Sequence, residues 1–366
     1  MIKSFVKKNA VMLIAFMAAA VTSFIIVPDS KYALYFDCKT LACLFCVLSV
    51  VCALKNINFF YMLARRIVIC FKTARMAILA LVYITFIGSM LIANDMALLT
   101  FLPLGYFVLT TTGKEKYMAF TFIMQNIAAN LGGMLTPFGN PQNLYLYSFF
   151  EIPNLEFIKI MAPPFAFSVA LITLCCIVFV KKEPLSLPNE KISTNPKRLA
   201  FYMALFALSI LIVFRGIPYW IGLIVIPLCL LFSDRKALKM VDYPLLLTFV
   251  FFFVFAGNMA RINAVREVFS YLLEKSTLVF GVLSCQLISN VPSAILLSQF
   301  TRNYHDLLIA VNIGGVGTLI SSLASLITFR EYTKHNPGKT LSYVIEFSAF
   351  NFAFLALLTG FMLAIG

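Results

Sequence analysis

Three polar patches interrupt an otherwise apolar sequence, and each carries residue types that can hold an ion. The first is Asn94-Asp95, lying between apolar arms at about 76–92 and 96–112. A carboxylate at membrane depth is costly and marks an ion or proton path; the alternative is that the tip reaches the interface and Asp95 is merely hydrated. The second patch is Thr136-Pro137-Phe138-Gly139-Asn140-Pro141-Gln142-Asn143, directly after Gly132-Gly133-Met134-Leu135. The third is Thr318-Leu319-Ile320-Ser321-Ser322-Leu323-Ala324-Ser325, shortly after Gly314-Gly315. Pro137, Pro141 and Gly139 cannot continue a straight helix. A helix broken in hydrocarbon exposes N-terminal ends that face anions and carbonyl ends that hold cations. The amides of Asn140 and Asn143 and the hydroxyls of Thr136, Thr318, Ser321, Ser322 and Ser325 add ligands without net charge. Ser289-Asn290 forms a second polar tip between apolar arms.

Other chemistry is poorly supplied. The only histidines are His305 and His335, both near loop ends where His305 and Asp306 are expected to cap a helix. There is no His-Glu-x-x-His, no Asp-rich motif and no pair of acids at helical spacing in a core segment. No catalytic residue, metal site or cofactor is therefore expected, and an intramembrane enzyme acting on lipid is disfavoured. Nine cysteines fall nearly all within apolar segments, where Cys behaves as a small hydrophobe. Cys43 and Cys46 are expected to pack. Cys175-Cys176 either packs or offers thiols to a soft ligand. Gln125 and Asn126 are either ligands or helix–helix hydrogen bonds, and Glu346 either couples protons or sits at the interface.

The elements that must position these residues are membrane helices. Apolar residues make up 61% of the 366 residues and charged ones 12%, about half the charged share of a soluble chain. Ala10–Pro28 and Leu199–Phe214 carry no charge at all, and about 20 apolar residues cross a bilayer. The chain has room for about ten crossings. A net charge of +14 taken alone points to nucleic acid, but the basic residues are scattered over short loops, which is the pattern of membrane topology. The apolar run after Lys3, Lys7 and Lys8 reads either as a signal peptide or, being long enough to cross, as an uncleaved first helix at about 11–27; the latter is expected because it makes the later charge pattern consistent. A second follows at 33–54, then an interfacial amphipathic stretch at 55–75. With the N-terminus inside, segments 117–150, 158–180, 199–214, 218–232, 243–258, 305–329 and 340–364 alternate across the membrane. A second amphipathic stretch lies at 259–275. This places 21 Lys and Arg in the cytoplasm and 8 outside, the excess that sets orientation, and puts the C-terminus on the periplasmic side.

Ile127-Ala128-Ala129-Asn130-Leu131-Gly132-Gly133-Met134-Leu135-Thr136 and Ile309-Ala310-Val311-Asn312-Ile313-Gly314-Gly315-Val316-Gly317-Thr318 share Ile, Ala, Asn, Gly, Gly and Thr at one offset. Each follows a hairpin tip, and each hairpin follows an amphipathic stretch. One Gly-Gly alone means close helix packing; the recurring set next to a polar hairpin favours a binding site. The expected fold is an all-α polytopic membrane protein of two inverted-topology repeats, each with a re-entrant hairpin and a broken transmembrane helix, the plan of many secondary transporters. The first repeat covers 1–181 (hairpin 76–112, broken helix 117–150) and the second covers 199–366 (hairpin 276–303, broken helix 305–330). A cytoplasmic linker at 182–198 joins them.

With Asn94-Asp95, Ala97-Leu98-Leu99-Thr100-Phe101-Leu102-Pro103-Leu104, Gly132-Gly133, Thr136-Pro137 and Gly139-Asn140-Pro141-Gln142-Asn143, the chain resembles the ion-transporter superfamily. The branch it is most similar to holds arsenite permeases, NhaD-type sodium–proton antiporters (ArsB/NhaD) and related anion permeases. The resemblance implies two hairpins, two broken helices, a homodimer in the lipid of the inner membrane and an elevator-like motion. It implies a site where tips meet breaks: Asn94, Asp95, Thr136, Gly139, Asn140 and Asn143 in one half, Ser289, Asn290, Thr318, Ser321, Ser322 and Ser325 in the other. The function implied is ion-coupled transport of a small anion or oxyanion with Na⁺ or H⁺ as coupling ion. Sodium–proton antiport, arsenite efflux and, more remotely, a channel are the alternatives. Related dicarboxylate carriers have Ser-Asn-Thr at both tips, whereas here the tips read Ala93-Asn94-Asp95 and Ser289-Asn290-Val291. The extra carboxylate repels a dianion unless it is protonated or paired with a cation.

Overall fold

A computed structural model describes residues 10–62, 66, 70–185 and 195–365 of the chain. Lys3, Lys7 and Lys8, the middle of the 55–75 stretch and most of the linker lie outside the described residues. The rest is helical: α1 (Ala10–Ile25), α2 (Cys38–Asn56), α3 (Ala74–Ile92), α4 (Asn94–Thr111), α5 (Met118–Gly132), α6 (Pro141–Phe149), α7 (Asn154–Phe179), α8 (Pro196–Val213) and α9 (Tyr219–Ser233). They continue as α10 (Arg235–Met240), α11 (Tyr243–Met259), α12 (Asn263–Lys275), α13 (Thr277–Ile288), α14 (Asn290–Leu297), α15 (Tyr304–Ile313), α16 (Leu323–His335) and α17 (Thr340–Ile365).

Side-chain caps start many of these helices, as the unpaired N–H groups of a first turn require. Asp37 caps α2, Thr73 caps α3, Asp242 caps α11, Ser276 caps α13 and Ser322 caps α16. Two expectations change for this reason. The second helix begins at Cys38 rather than near 33, because Asp29 first caps a short 3-10 turn, Ser30–Tyr35. Asn303, not His305 or Asp306, caps α15, its side chain accepting from the Asp306 N–H at 3.2 Å. The second broken helix also runs five residues beyond its expected end.

Among the described residues, α2, α3, α7, α8 and α17 are individually long and apolar enough to cross a bilayer. Several of the others are short where the chain breaks, as at α5–α6 and α15–α16. At about 1.5 Å per residue, the eight-residue α14 spans only about 12 Å, well short of the roughly 30 Å hydrocarbon core. The amphipathic α12 leaves α11 at 98°. Large apolar side chains such as Phe24, 87% exposed, and Phe232, 78% exposed, face outward. A water-soluble monomer rarely shows contiguous apolar surface on this scale, and a bilayer would cover it.

The helices pack as two groups. In one, α1 lies along α11, and α2 is flanked by α8, α9 and α10. In the other, α3 and α4 pack on α5, α13 and α14 on α15, and α7 and α17 brace the outside. The groups meet where α2 touches α6 and α11 touches α14.

Polar ties between loops join segments that the charge pattern assigns to one side. On the expected cytoplasmic side, Glu183 accepts from Lys114 Nζ at 2.8 Å, Lys116 Nζ at 2.5 Å and the Tyr117 hydroxyl at 3.0 Å. These bonds hold its carboxyl down to about 2, so Glu183 stays ionised throughout neutral pH. Asn56 Nδ2 reaches Asp234 on the same side at 2.9 Å. On the opposite side, the Arg261 guanidinium grips Asp29 at 2.7 and 3.1 Å and holds that carboxyl below its usual range, and Tyr304 donates to Glu156 at 2.6 Å.

Candidate substrate and ion site

Each hairpin turns at a single residue with positive φ: Ala93 (φ 66, ψ 150) between α3 and α4, and Ser289 (φ 77, ψ 158) between α13 and α14. The next residue is a buried asparagine whose side-chain oxygen accepts from the following backbone N–H. Asn94 Oδ1 takes Asp95 N and Asn290 Oδ1 takes Val291 N, both at 2.9 Å. Three residues before each tip, a backbone carbonyl accepts from the threonine of the neighbouring break: Thr136 Oγ1 to Met90 O at 2.8 Å, and Thr318 Oγ1 to Gln286 O at 3.1 Å. Four residues before each tip, the hairpin meets the first glycine of Gly-Gly. A Cβ on Gly132 would lie 2.1 Å from Phe86 O and 2.6 Å from Ser89 Oγ; one on Gly314 would lie 2.7 Å from Cys285 Cβ. Gly132 and Gly314 thus let helix and hairpin touch, the packing role that Gly-Gly alone suggests.

The breaks themselves free backbone carbonyls inside the protein, and buried carbonyls need donors. In the first half α5 ends at Gly132, a 3-10 turn runs to Leu135, and α6 restarts with Pro141 in its first turn. Asn143 Nδ2 serves the carbonyls of Gly133, Met134 and Thr136 at 3.1–3.3 Å. In the second half Ser321 Oγ reaches Gly315 O and Thr318 O. Gln286 Nε2 reaches Gly314 O and Val316 O at 3.0 and 3.2 Å, while its Oε1 accepts Thr318 N at 2.9 Å. Asn143 and Ser321, read as ligands from sequence, therefore spend much of their capacity on the chain. Ser322 and Ser325 bond each other at 3.0 Å at the start of α16, and Gly139 sits inside the first break with its N–H on Thr136 O.

Asn130 and Asn312 join these parts. Asn94 Nδ2 donates to Asn130 Oδ1 at 3.3 Å. Asn140 Nδ2 donates to Asn130 O at 3.1 Å and to Asn312 Oδ1 at 3.2 Å, and Asn312 Nδ2 donates to Asn143 Oδ1 at 2.6 Å. Asn290 Nδ2 and Asn130 Oδ1 both come within 3.3 Å of the point where a Gly315 side chain would begin. Asn290 N donates to Ser321 O at 2.9 Å. The starts of α4, α6, α14 and α16 are thereby linked in one buried network. Asn130 and Asn312 were visible in the sequence only as markers of the recurring decapeptide; their place two residues before each Gly-Gly was the available signal. Gln286 carried none, since Met90 occupies the corresponding place in the first half.

Three oxygens at the first tip and break lack partners among the described residues: Asp95 Oδ1, Asn140 Oδ1 and Gln142 Oε1, all shielded from solvent. Asp95 borders a cavity of about 60 Å³ whose wall also includes Leu48 of α2, Phe138 and Pro141 of the break, Leu323 of α16 and the exposed Asp242. That volume holds a few water molecules, and Asp95 and Asp242 are the polar residues on a wall that is otherwise apolar. Asp242 comes from a helix start far away in sequence, and nothing in its local pattern marks it.

The remaining sequence candidates are accounted for by packing. Gln125 Nε2 bonds Thr85 and Phe101 O, and Asn126 Nδ2 bonds Ser325 and Asn351. Both therefore link helices. Cys43, Cys46 and Cys176 are buried and free. Glu346 lies on α17 near the stacked pair Tyr332 and Tyr343, away from both tips. Among the described residues no cluster of His, Cys, Asp or Glu could hold a metal ion.

The model of a family described as citrate transporters matches residues 1–305. The chain belongs to that family. It is 35% identical over 297 residues to the uncharacterized transporter MJ0456 of Methanocaldococcus jannaschii, covering 80% of each chain. It is 30% identical over 285 residues to the inner membrane protein YbiR of Escherichia coli, covering 75% of this chain and 74% of that one. The protein is accordingly a multi-pass membrane transporter and not an enzyme.

Proposed function

We propose that the protein is an ion-coupled secondary transporter of a small anion or oxyanion, working by an elevator-type alternating access. The observation that carries this reading is the buried amide network joining four helix starts beside Asp95, whose Oδ1 has no partner among the described residues. Helix N-termini carry partial positive charge and favour anions, while a carboxylate with an unpaired oxygen favours a cation. The start of α4 thus carries both ends of a coupled pair, Asn94 in the amide network and Asp95 on the cavity wall. Na⁺ or a proton at Asp95 would neutralise the carboxylate that otherwise repels the anion. The substrate residues are Asn94, Asn140 and Asn290 with the first-turn N–H groups; Thr136, Thr318, Ser321, Ser322, Ser325 and Asn143 hold the breaks in shape around them.

The group of hairpins, broken helices, α7 and α17 is the moving part, and α1, α2 and α8–α11 are the frame. The two repeats run in opposite senses through the membrane, with the N-terminus cytoplasmic and the C-terminus outside. YbiR's name places that relative in the inner membrane, and the same location is proposed here, as a homodimer. Within the superfamily, the Asp95 tip favours the ArsB/NhaD branch. A second reading keeps its own support from Asp95: sodium–proton antiport with this carboxylate as the shared site. The broken helices argue for a carrier over a channel. In proteoliposomes, a trans load of unlabelled substrate is expected to accelerate uptake of the labelled anion, with saturation. Flux that rises linearly and ignores the trans load would make the protein a conduit.

A further inference from the structure

The helices α8, α9 and α10 pack chiefly on α2 and on one another, yet the turn between α8 and α9 reaches the broken helix at two points. Phe214 meets Phe138 of the first break edge-on, ring centroids 5.8 Å apart. Arg215 donates through Nη2 to Tyr147 O at 2.6 Å and through Nη1 to Glu151 O at 3.2 Å, at the C-terminal end of α6. Its guanidinium also lies 4.1 Å from the centroid of the Tyr147 ring. A cation at the carbonyl end of a helix is favoured by the helix dipole, and a guanidinium over an aromatic ring adds attraction. Arg215 holds this reach with φ at +63, a backbone state that costs a non-glycine residue energy unless its surroundings enforce it. The charge pattern assigns the turn and the end of α6 to the outer side, and it assigns Asp242, which borders the Asp95 cavity, to the cytoplasmic side.

We propose that the Phe214-Arg215 turn is a latch. It clamps the end of α6 to the frame on the outer side and so holds the conformation in which Asp95 is reached from the Asp242 side. The inference rests on the transporter reading, because only a moving α6 needs a latch. For the moving group to travel, the two Arg215 bonds and the Phe214–Phe138 contact must break together. Either orientation is then favoured in proportion to its own contacts.

The test is thiol labelling, which needs no substrate and so separates failure of the latch from failure to find what is carried. Met96 lines the Asp95 cavity, so Met96→Cys is placed in a background with the exposed Cys38 and Cys70 changed to Ser. A membrane-impermeant maleimide is applied from the Asp242 side. Arg215→Ala is expected to slow labelling at least threefold, and Arg215→Lys, which keeps the charge but loses the fork, is expected to fall between. Arg215→Gln serves if the alanine variant does not give monodisperse protein. Labelling at the parent rate or faster overturns the latch. So does a lower thermal midpoint with unchanged labelling, which would make Arg215 a structural strut.

Discussion

Replacing Asp95 with Asn is expected to remove the Na⁺ or proton dependence of transport while leaving the fold intact. Asn keeps the shape of Asp and can still accept the contacts at the start of α4, where the essential bond is made by the neighbouring Asn94 Oδ1 to Asp95 N. What disappears is the charge beside the cavity. Interactions with a charged group are worth about 1.5–3 kcal/mol, so cation affinity should fall roughly ten- to hundred-fold. The coupled component of uptake should disappear at working cation concentrations. The measurement is initial uptake at stepped pH and stepped Na⁺ for the parent and the variant, alongside thermal melting in detergent. An unchanged cation dependence in the variant would take Asp95 out of the mechanism.

The second large effect is structural. Gly132→Ala places a methyl group 2.1 Å from the Phe86 carbonyl oxygen and 2.6 Å from Ser89 Oγ. The clash is with backbone, so no side-chain rotation relieves it, and α3 must move away from α5. That movement pulls on the Thr136–Met90 and Asn94–Asn130 bonds together. Overpacking typically costs about 1–3 kcal/mol, occasionally more, and here it lands on a junction that holds tip and break together. The expected outcome is loss of monodisperse protein or a melting midpoint lowered by roughly 5 °C or more. Gly338→Ala, where nothing lies within 4 Å, is the control and should melt with the parent. Normal melting of Gly132→Ala would mean that the hairpin is not held against the break as described.

The order of parts was legible in the sequence because breaking a membrane helix takes unmistakable residues. Prolines and glycines in an apolar run, and a polar pair between two apolar arms, leave few alternatives. Asn94, Asp95, Asn140 and Asn290 stood out for that reason. The division of labour among the polar residues was not legible. A break frees carbonyls that something must satisfy, and sequence does not say whether a nearby amide will serve the backbone or a ligand; Asn143 and Ser321 serve the backbone. Gln286 does the same work from the hairpin, in a place where the other half has Met90. Asp242 and Arg215 reach the site from helix ends remote in sequence, so only packing reveals them. Among the described residues, fewer helices are individually long enough to cross than the apolar stretches suggested, in part because the breaks after Gly132 and Ile313 divide two of those stretches.

The most direct measurement is the current evoked on solid-supported membranes by concentration jumps on the reconstituted protein. The panel should hold inorganic oxyanions, arsenite, dicarboxylates, citrate and Na⁺, each with and without a pH gradient. Coupled anion transport predicts a current with one anion class that grows with an imposed Na⁺ or proton gradient and vanishes in Asp95→Asn. A current evoked by Na⁺ alone that requires opposing protons, with no anion response, would contradict it and make the protein an antiporter.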